Sequence, residues 1–280
     1  MTPGTARTLT RTIGLYLALS IAGAGSAWAQ QEAAPVTPAA VPTTIGHKGC
    51  NVPRELARFD NPLPALTKSV TQDRIVHIIA LGSSSTAGSG ASSPQASYPA
   101  RLDAELDRRF PNRDFQVANF GTGGLLARDM LERLHTHIIA LKPALVIWQT
   151  GVNDAIHNVG VAEFKETMLR GVRDMKAAGI DVILVNQQFY PRSERVAGYT
   201  DYVAVLREVA ESENVPLFRR FSIMKHLLKS GQHTAEELLA PDNFHLNDLS
   251  YGCLADLLAD AIDERIKAGR MTASRLAPSR

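Results

Sequence analysis

Three consecutive serines lie between an apolar run and a glycine-rich stretch in ALGSSSTAGSG, residues 80–90. A serine hydroxyl is a weak nucleophile unless a base takes its proton and a third group holds that base in place. The sequence DNFH near the C-terminal end contains both groups, because Asp242 lies three positions before His245 and can reach its imidazole across one turn. One of the serines, His245 and Asp242 could therefore act as nucleophile, base and orienting acid.

Acyl transfer by such a serine also needs hydrogen-bond donors for the oxyanion that develops on the attacked carbonyl group. Backbone N–H groups of a glycine turn such as Gly123-Gly124, in NFGTGG, and an asparagine side-chain amide would supply them. The sequence TGVND contains one such asparagine, Asn153. Each motif alone also fits a structural role, since glycines permit tight turns and an Asp–His pair can cap a helix. Their joint occurrence in one chain favours the chemical interpretation.

Short β-rich runs alternate with amphipathic stretches along the chain, and this pattern predicts strands separated by helices. The predicted strands cover residues 74–82, 114–121, 144–151, 181–189 and 215–218, and the predicted helices cover residues 98–110, 125–141, 161–179, 199–214 and 249–269. Such an alternation is typical of a parallel sheet with helices on both faces. We therefore expect an α/β protein with a three-layer α/β/α, flavodoxin-like fold and a five-stranded parallel sheet.

The candidate motifs come directly after the predicted strands. The serine stretch follows the first strand, NFGTGG the second and TGVND the third, while DNFH precedes the last helix. In open parallel sheets, ligands bind beyond the carboxyl ends of the strands. The predicted topology therefore brings these motifs to one edge of the sheet.

In these motifs the chain resembles the SGNH (GDSL-type) hydrolase superfamily, whose four sequence blocks match in order from about residue 74 to the last helix. The first block is usually G-D-S and is Gly82-Ser83-Ser84 in this chain. Ser83 thus replaces the usual aspartate, a departure that affects a local structural anchor more than the reaction. The resemblance implies a catalytic triad of Ser84, Asp242 and His245 and an oxyanion hole of the Ser84 and Gly124 N–H groups and the Asn153 side chain.

The resemblance also implies a function, that of a bacterial exported serine esterase which hydrolyses carboxylic esters through an acyl-enzyme without a cofactor. The expected substrates are short-chain acyl or O-acetyl groups on envelope or extracellular carbohydrate, so the expected partner is a small-molecule or glycan ester. One alternative is a thioesterase or lysophospholipase of the same fold. Another is a non-catalytic carbohydrate-binding protein on an SGNH scaffold.

Three further residues are candidates for substrate binding. Gln188 and Tyr190 follow the fourth predicted strand, and we expect them to contact the acyl or the alcohol group of the substrate. His157 lies four residues beyond Asn153 and could line the pocket, although an ordinary surface histidine is the alternative.

Sequence motifs for other ligands are incomplete. The dinucleotide pattern G-x-G-x-x-G fails in NFGTGGLLA, because Leu126 stands where the third glycine is required. No Gly-Lys-Ser or Gly-Lys-Thr of a phosphate-binding loop follows the first strand. His135 and His137 lie two positions apart in a predicted helix, so their side chains point to different sides. We therefore expect no metal and no cofactor.

The N-terminal residues have the pattern of a secretory signal peptide. Arg7 and Arg11 precede an apolar run over residues 13–25, and an A-x-A site predicts cleavage after Ala29. A membrane anchor is the alternative, but the apolar run is short for a membrane span. We expect a periplasmic or secreted protein with no stable membrane insertion after cleavage. The predicted organisation is a signal peptide over 1–29, a lead-in and N-terminal segment over 30–69, a hydrolase domain over 70–269 and a tail over 270–280.

Cysteine content and charge limit the environment and the partners. The two cysteines, Cys50 and Cys253, would meet an oxidising compartment after export, where a lone pair more often forms a disulfide than a metal site. We therefore predict a disulfide bridge, with two separate thiols as the alternative. The formal net charge of +2 includes Arg7 and Arg11 of the signal peptide, so the remaining chain is nearly neutral. A nucleic-acid partner is not expected, because such proteins carry strongly basic surfaces.

Overall fold

Strands and helices alternate along the chain in the computed structural model, which describes residues 44–46 and 49–276. The predicted signal peptide over 1–29 lies outside the described residues, as does most of the Ala/Pro/Thr-rich lead-in. The strands are β1 (Thr44–Ile45), β2 (Val52–Pro53), β3 (Ile75–Gly82), β4 (Asp114–Gly121), β5 (Leu145–Gln149), β6 (Asp181–Val185) and β7 (Leu217–Phe218). The helices are α1 (Arg54–Ala57), α2 (Pro64–Gln72), α3 (Ser84–Ala87), α4 (Tyr98–Arg109), α5 (Ala127–Arg133), α6 (Val152–Ile156), α7 (Val161–Ala177), α8 (Tyr199–Glu213), α9 (Arg220–Lys229), α10 (Ala235–Leu238) and α11 (Asp248–Leu276).

Five strands form one parallel sheet in the order β4-β3-β5-β6-β7. Numbered along the chain, this order is 2-1-3-4-5, the arrangement of flavodoxin-like folds. Helix α11 packs on α4 and α2, whereas α7 packs on α5 and α8, so the helices form two separate layers. The predicted α/β/α fold with a five-stranded parallel sheet is confirmed. A two-stranded antiparallel pair, β1 with β2, precedes the sheet.

The central strand β5 is buried along its whole length, as expected for a strand covered by helices on both faces. Trp148 in this strand is fully buried and packs against Gly171 of α7. A Cβ atom at position 171 would lie 2.5 Å from the indole ring, so only glycine permits this close approach of helix and sheet. The apolar sequence of β5 and the lack of a side chain at position 171 therefore fix α7 against the sheet.

Several element boundaries differ from the sequence-based prediction. The second predicted helix is regular only through Arg133, and a π-helical segment over Leu134–Ile138 and a 3-10 segment over Ile139–Leu141 follow. Helices α2 and α9 were not predicted. The last helix continues beyond Gly269 to Leu276. Strand β6 ends at Val185, four residues earlier than predicted, yet the residues that follow it remain buried.

The predicted disulfide is confirmed: Cys50 is bonded to Cys253, and their Cα atoms are 5.5 Å apart. The bond joins the segment before β2 to helix α11 across 203 positions of sequence. Both half-cystines are buried. Across residues 44–46 and 49–276, no helix has the length and apolar character needed to cross a bilayer.

Candidate active site

Ser84 is the first residue of helix α3, directly after the turn that ends β3. This turn is tight, because a Cβ atom at Gly82 would lie 2.9 Å from the side-chain oxygen of Gln149. Helix α3 ends at Ala87 and is followed by Gly88, whose φ of 94° lies in the left-handed region that favours glycine. On the neighbouring strand, Gly121 touches the backbone of Ala87, and a side chain at 121 would overlap that backbone. Glycines at both strand ends therefore set the position of the short helix that carries the serine.

The structure brings Ser84, His245 and Asp242 together in the arrangement predicted from the sequence. The Nε2 atom of His245 lies 2.9 Å from the Oγ atom of Ser84, and Nδ1 lies 2.6 Å from Oδ2 of Asp242. Both distances are within the reach needed for proton transfer or orientation by a hydrogen bond. Half of the Asp242 side chain is exposed (48%), whereas that of His245 is largely covered (20%). The imidazole is therefore held between the hydroxyl and the carboxylate.

The loop that carries Asp242 and His245 is held by its own hydrogen bonds. The Oδ1 atom of Asp242 accepts the backbone N–H groups of Phe244 and His245, each at 2.9 Å. Partial burial disfavours ionisation of Asp242, but its hydrogen bonds from the His245 side chain and from these N–H groups outweigh that effect and lower its pKa. Asp242 is therefore an anion near neutral pH, as a residue that stabilises an imidazolium must be.

Two residues that the sequence did not single out position this loop. The Phe244 ring packs edge-on against His245, with centroids 4.7 Å apart, and against Tyr190, with centroids 5.0 Å apart. Arg192 donates a hydrogen bond from Nη2 to the backbone oxygen of Asp242 at 2.9 Å. The contacts of Phe244 with Tyr190 and of Arg192 with Asp242 have no sequence signal, because the partners are about fifty positions apart.

The predicted oxyanion residues lie on two neighbouring turns. Gly124 is exposed and has a φ of 80°, and a Cβ atom at the adjacent Gly123 would lie 3.9 Å from Cβ of Ser84. Asn153, in helix α6, donates from Nδ2 to the backbone oxygen of Leu125 at 2.9 Å. This bond uses one of the two N–H donors of the amide and leaves the other available. The Asn153 amide is therefore bound to the same turn that brings Gly123 next to Ser84.

Asp154 links the elements on this side of the site. Its buried carboxylate accepts the backbone N–H of Ala127 at 3.0 Å and the hydroxyl of Thr150 at 3.4 Å. Burial raises the pKa of Asp154, although its hydrogen bonds oppose the shift. The side chain therefore fixes the start of α5, and with it the glycine turn, relative to α6.

Gln188 and Tyr190 are buried, with 1% and 4% of their surfaces exposed. Gln188 donates to the backbone oxygen of Phe244 at 3.4 Å and accepts a long bond, 3.5 Å, from the hydroxyl of Ser85. Little of either side chain is exposed, because Gln188 lies beneath α3 and the Phe244 backbone and Tyr190 packs against the Phe244 ring. Contact of Gln188 and Tyr190 with the substrate stays a prediction. The sequence could not show that this loop turns inward.

His157 is exposed just beyond helix α6, as a residue near the substrate would be. It lies in a depression of about 540 Å³ that begins at the glycine turn. The residues that line the depression are Gly124, Leu126, Arg128, Asp129, His157, Asn158, Val159, Gly160 and Glu163. Most of these side chains are polar, so the surface next to the candidate oxyanion hole suits a polar group.

His135 and His137 have different partners. Nε2 of His135 lies 2.7 Å from the carboxylate of Asp174, whereas Nδ1 of His137 lies 2.6 Å from the hydroxyl of Thr136. Within the part of the chain that the structure describes, no group of three or more His, Cys, Asp or Glu side chains is arranged to hold a metal ion.

Most of the chain matches a known protein family. A model of the non-GDSL lipase-like family matches residues 49–268, which include all of the site residues described above. The esterase YxiM of Bacillus subtilis (strain 168), itself uncharacterized, is 36% identical over 102 residues. The match covers 35% of this chain and 26% of that protein, so the chain spans about a quarter of the length of this curated relative.

Solved structures share the fold. A two-domain esterase active on acetylated mannans, crystallised with mannopentaose, is 24% identical with a TM-score of 0.62, over 75% of this chain and 55% of that one. A lipase/acylhydrolase from Enterococcus faecalis is 25% identical with a TM-score of 0.56, over 68% and 96% of the two chains. An acetyl-xylooligosaccharide esterase from Geobacillus is 22% identical with a TM-score of 0.56, over 68% and 94%.

Proposed function

The chain belongs to the non-GDSL lipase-like family, a group of SGNH-type hydrolases, and on that premise we propose that it is a serine esterase. The main support for the proposal is the hydrogen-bonded series Ser84–His245–Asp242. Ser84 Oγ lies 2.9 Å from His245 Nε2, and His245 Nδ1 lies 2.6 Å from Asp242 Oδ2. A serine, a base and an orienting carboxylate at these distances form the arrangement that activates a hydroxyl for acyl transfer.

In the proposed reaction, Ser84 Oγ attacks the ester carbonyl while its proton passes to Nε2 of His245. Asp242 stabilises the imidazolium that forms, and its lowered pKa keeps it ionised. The tetrahedral oxyanion accepts hydrogen bonds from the N–H groups of Ser84 and Gly124 and from the free N–H of Asn153. His245 then protonates the leaving alcohol as the carbon–oxygen ester bond breaks. A water molecule, activated by His245, hydrolyses the acyl-enzyme and frees Ser84.

We propose that the substrates are short-chain acyl esters, in particular O-acetyl groups on carbohydrate. The polar depression beside Gly124 supports this choice, because its charged and amide side chains suit the hydroxyl groups of a sugar better than a long acyl chain. His157 is the residue we expect to contact the sugar. Two structures of the same fold come from esterases named for acetylated mannans and acetyl-xylooligosaccharides, and this likeness also supports the choice.

We propose that the enzyme acts in the periplasm or outside the cell. The predicted signal peptide motivates this proposal, and the Cys50–Cys253 disulfide supports it, because disulfides persist mainly in oxidising compartments. A mature exported protein that begins at Gln30 would agree with the proposed cleavage after Ala29.

The test is ester turnover by the wild-type protein and by Ser84→Ala on acetylated mannan and xylan oligosaccharides and on p-nitrophenyl esters of increasing chain length. We expect acetate release by the wild type, a rate that falls with acyl length, and no turnover above background by Ser84→Ala. The matched control is Ser93→Ala, since Ser93 is an exposed serine that makes no capping bond. Near-normal turnover by folded Ser84→Ala would exclude the proposed nucleophile.

A fluorophosphonate probe supplies a second measurement that needs no substrate. We expect it to label the wild type and Ser93→Ala but not Ser84→Ala. A folded wild-type protein that is neither labelled nor active would favour the non-catalytic carbohydrate-binding alternative.

A further inference from the structure

The turn that carries Ser84 has no acidic side chain, and a glutamine from the neighbouring strand occupies its interior. Gln149, the last residue of β5, is fully buried. Its Oε1 atom accepts three hydrogen bonds: from the N–H of Ser83 at 3.3 Å, from the hydroxyl of Ser83 at 3.4 Å and from the hydroxyl of Thr86 at 3.0 Å. One oxygen therefore binds donors that lie on both sides of the nucleophile.

These three bonds are made where water cannot replace them. Ser83 is 4% exposed and Thr86 is fully buried. A buried donor that loses its partner destabilises the folded state by its full desolvation cost, so the backbone N–H of Ser83 depends on the glutamine oxygen. A side chain at Gly82 would approach that oxygen to 2.9 Å, so the turn is folded closely around it.

The orientation of the Gln149 amide is fixed by its surroundings. The N–H of Ser83 requires an acceptor, and only the oxygen of the amide can supply one. The Nε2 atom is buried and has no hydrogen-bond partner among the residues that the structure describes, so the contacts with Ser83 and Thr86 determine how the amide sits. A neutral carbonyl oxygen also lets the turn remain uncharged in a buried position, where a carboxylate would be strongly disfavoured.

We propose that Gln149 is a positioning residue for the nucleophile, and this inference rests on the proposed esterase function. It holds Ser83 and Thr86, and so keeps Ser84 Oγ within hydrogen-bond distance of His245. Helix α6 begins three residues after Gln149 and carries Asn153. The end of one strand thus fixes the nucleophile relative to the oxyanion amide. A misplacement of about 1 Å can cost about 100-fold in rate, which is enough for such a residue to control turnover.

The test compares Gln149→Met, which keeps the length of the side chain but removes the acceptor, with Gln187→Met. Gln187 is also a fully buried glutamine beyond a strand end, but it bonds to Tyr199 rather than to the serine turn. For p-nitrophenyl acetate we expect Gln149→Met to lower kcat by about 10- to 100-fold, with KM changed by less than about threefold. The rate of fluorophosphonate labelling of Ser84 should fall in parallel. Gln187→Met should stay within about threefold of the wild type in both measurements.

Thermal unfolding of each variant separates positioning from loss of the fold. Folded Gln149→Met with wild-type kcat and labelling would overturn the proposal, as would an equal loss in Gln187→Met.

If Gln149→Met does not fold, the Thr86→Val variant provides the test, because it removes the shortest of the three bonds and leaves the glutamine in place. A reduced labelling rate then supports the proposal and an unchanged rate overturns it. Failure of the esterase function itself is distinguishable, since the wild type would then neither turn over ester nor react with the probe.

Discussion

At the scale of single residues, substitution of Asn153 tests whether its side-chain amide is a donor of the proposed oxyanion hole. One N–H of its amide is bound to Leu125, and the other is free to bind the oxyanion. We expect Asn153→Ala to lower kcat by about 10²–10³, because a preorganised donor acts mainly on the transition state. Steady-state kinetics on p-nitrophenyl acetate measure the change. The control is Asn112→Ala, in an exposed turn before β4. A folded Asn153→Ala enzyme with kcat within about threefold of the wild type would contradict the role.

At the scale of elements, the contact between β4 and α3 determines the position of Ser84. Gly121→Ala would place a methyl group against the backbone of Ala87 and push α3 outward. We expect the free energy of unfolding to fall by about 1–3 kcal/mol, as for other overpacked sites, and kcat to fall with it. Denaturant unfolding and p-nitrophenyl acetate kinetics measure the two effects. Gly160→Ala is the control for stability, since no atom lies within 4 Å of its added Cβ. A Gly121→Ala variant as stable as Gly160→Ala, with wild-type turnover, would show that the contact does not constrain α3.

The elements also show what a single sequence can predict. The sheet strands and the proximity of Ser84, Asp242 and His245 were predictable, because apolar runs mark buried strands and a parallel sheet gathers the motifs that follow them. Helix α2 was not predicted, although Leu66 and Val70 have the four-residue spacing of a buried face and Pro64 begins the helix. The burial of Gln188 and the acceptor role of Gln149 could not be predicted from the sequence. Both depend on contacts between residues more than 60 positions apart, for which one sequence carries no signal.

At the scale of the whole molecule, a partly buried carboxyl group at the amino ends of the sheet strands makes the stability depend on pH. Asp181 begins β6 and accepts the backbone N–H of Leu66 at 2.8 Å. Burial raises the pKa of Asp181 from 3.8 to about 6, although bonds from the N–H groups of Leu66 and Ala65 oppose the shift. The Asp181 carboxyl group therefore binds its proton more tightly in the folded state than in the unfolded chain. The stabilisation that protonation of Asp181 gives the folded state is complete below pH 3.8 and is lost as the pH rises through about 6.

Asp181→Asn removes this titration and keeps an acceptor for Leu66. We expect the variant to be more stable than the wild type by about 1–3 kcal/mol near neutral pH, and equally stable at about pH 4. Thermal unfolding at several pH values measures the difference. The kcat for ester hydrolysis should not change, because Asp181 lies at the amino end of β6, whereas Ser84 follows the carboxyl end of β3. A stability difference that is the same at every pH would rule out titration of Asp181 as its cause.

The Cys50–Cys253 bond has a consequence for how the protein withstands proteolysis. The bond spans 203 positions, and Ser84, Asp242 and His245 all lie between its two ends. A single cut in an exposed loop between Ser84 and Asp242 leaves Ser84 on the fragment with Cys50 and His245 on the fragment with Cys253. The two fragments remain one covalent molecule, which migrates as a single species until a reductant separates it. A chain nicked in this way therefore keeps Ser84 covalently tethered to Asp242 and His245.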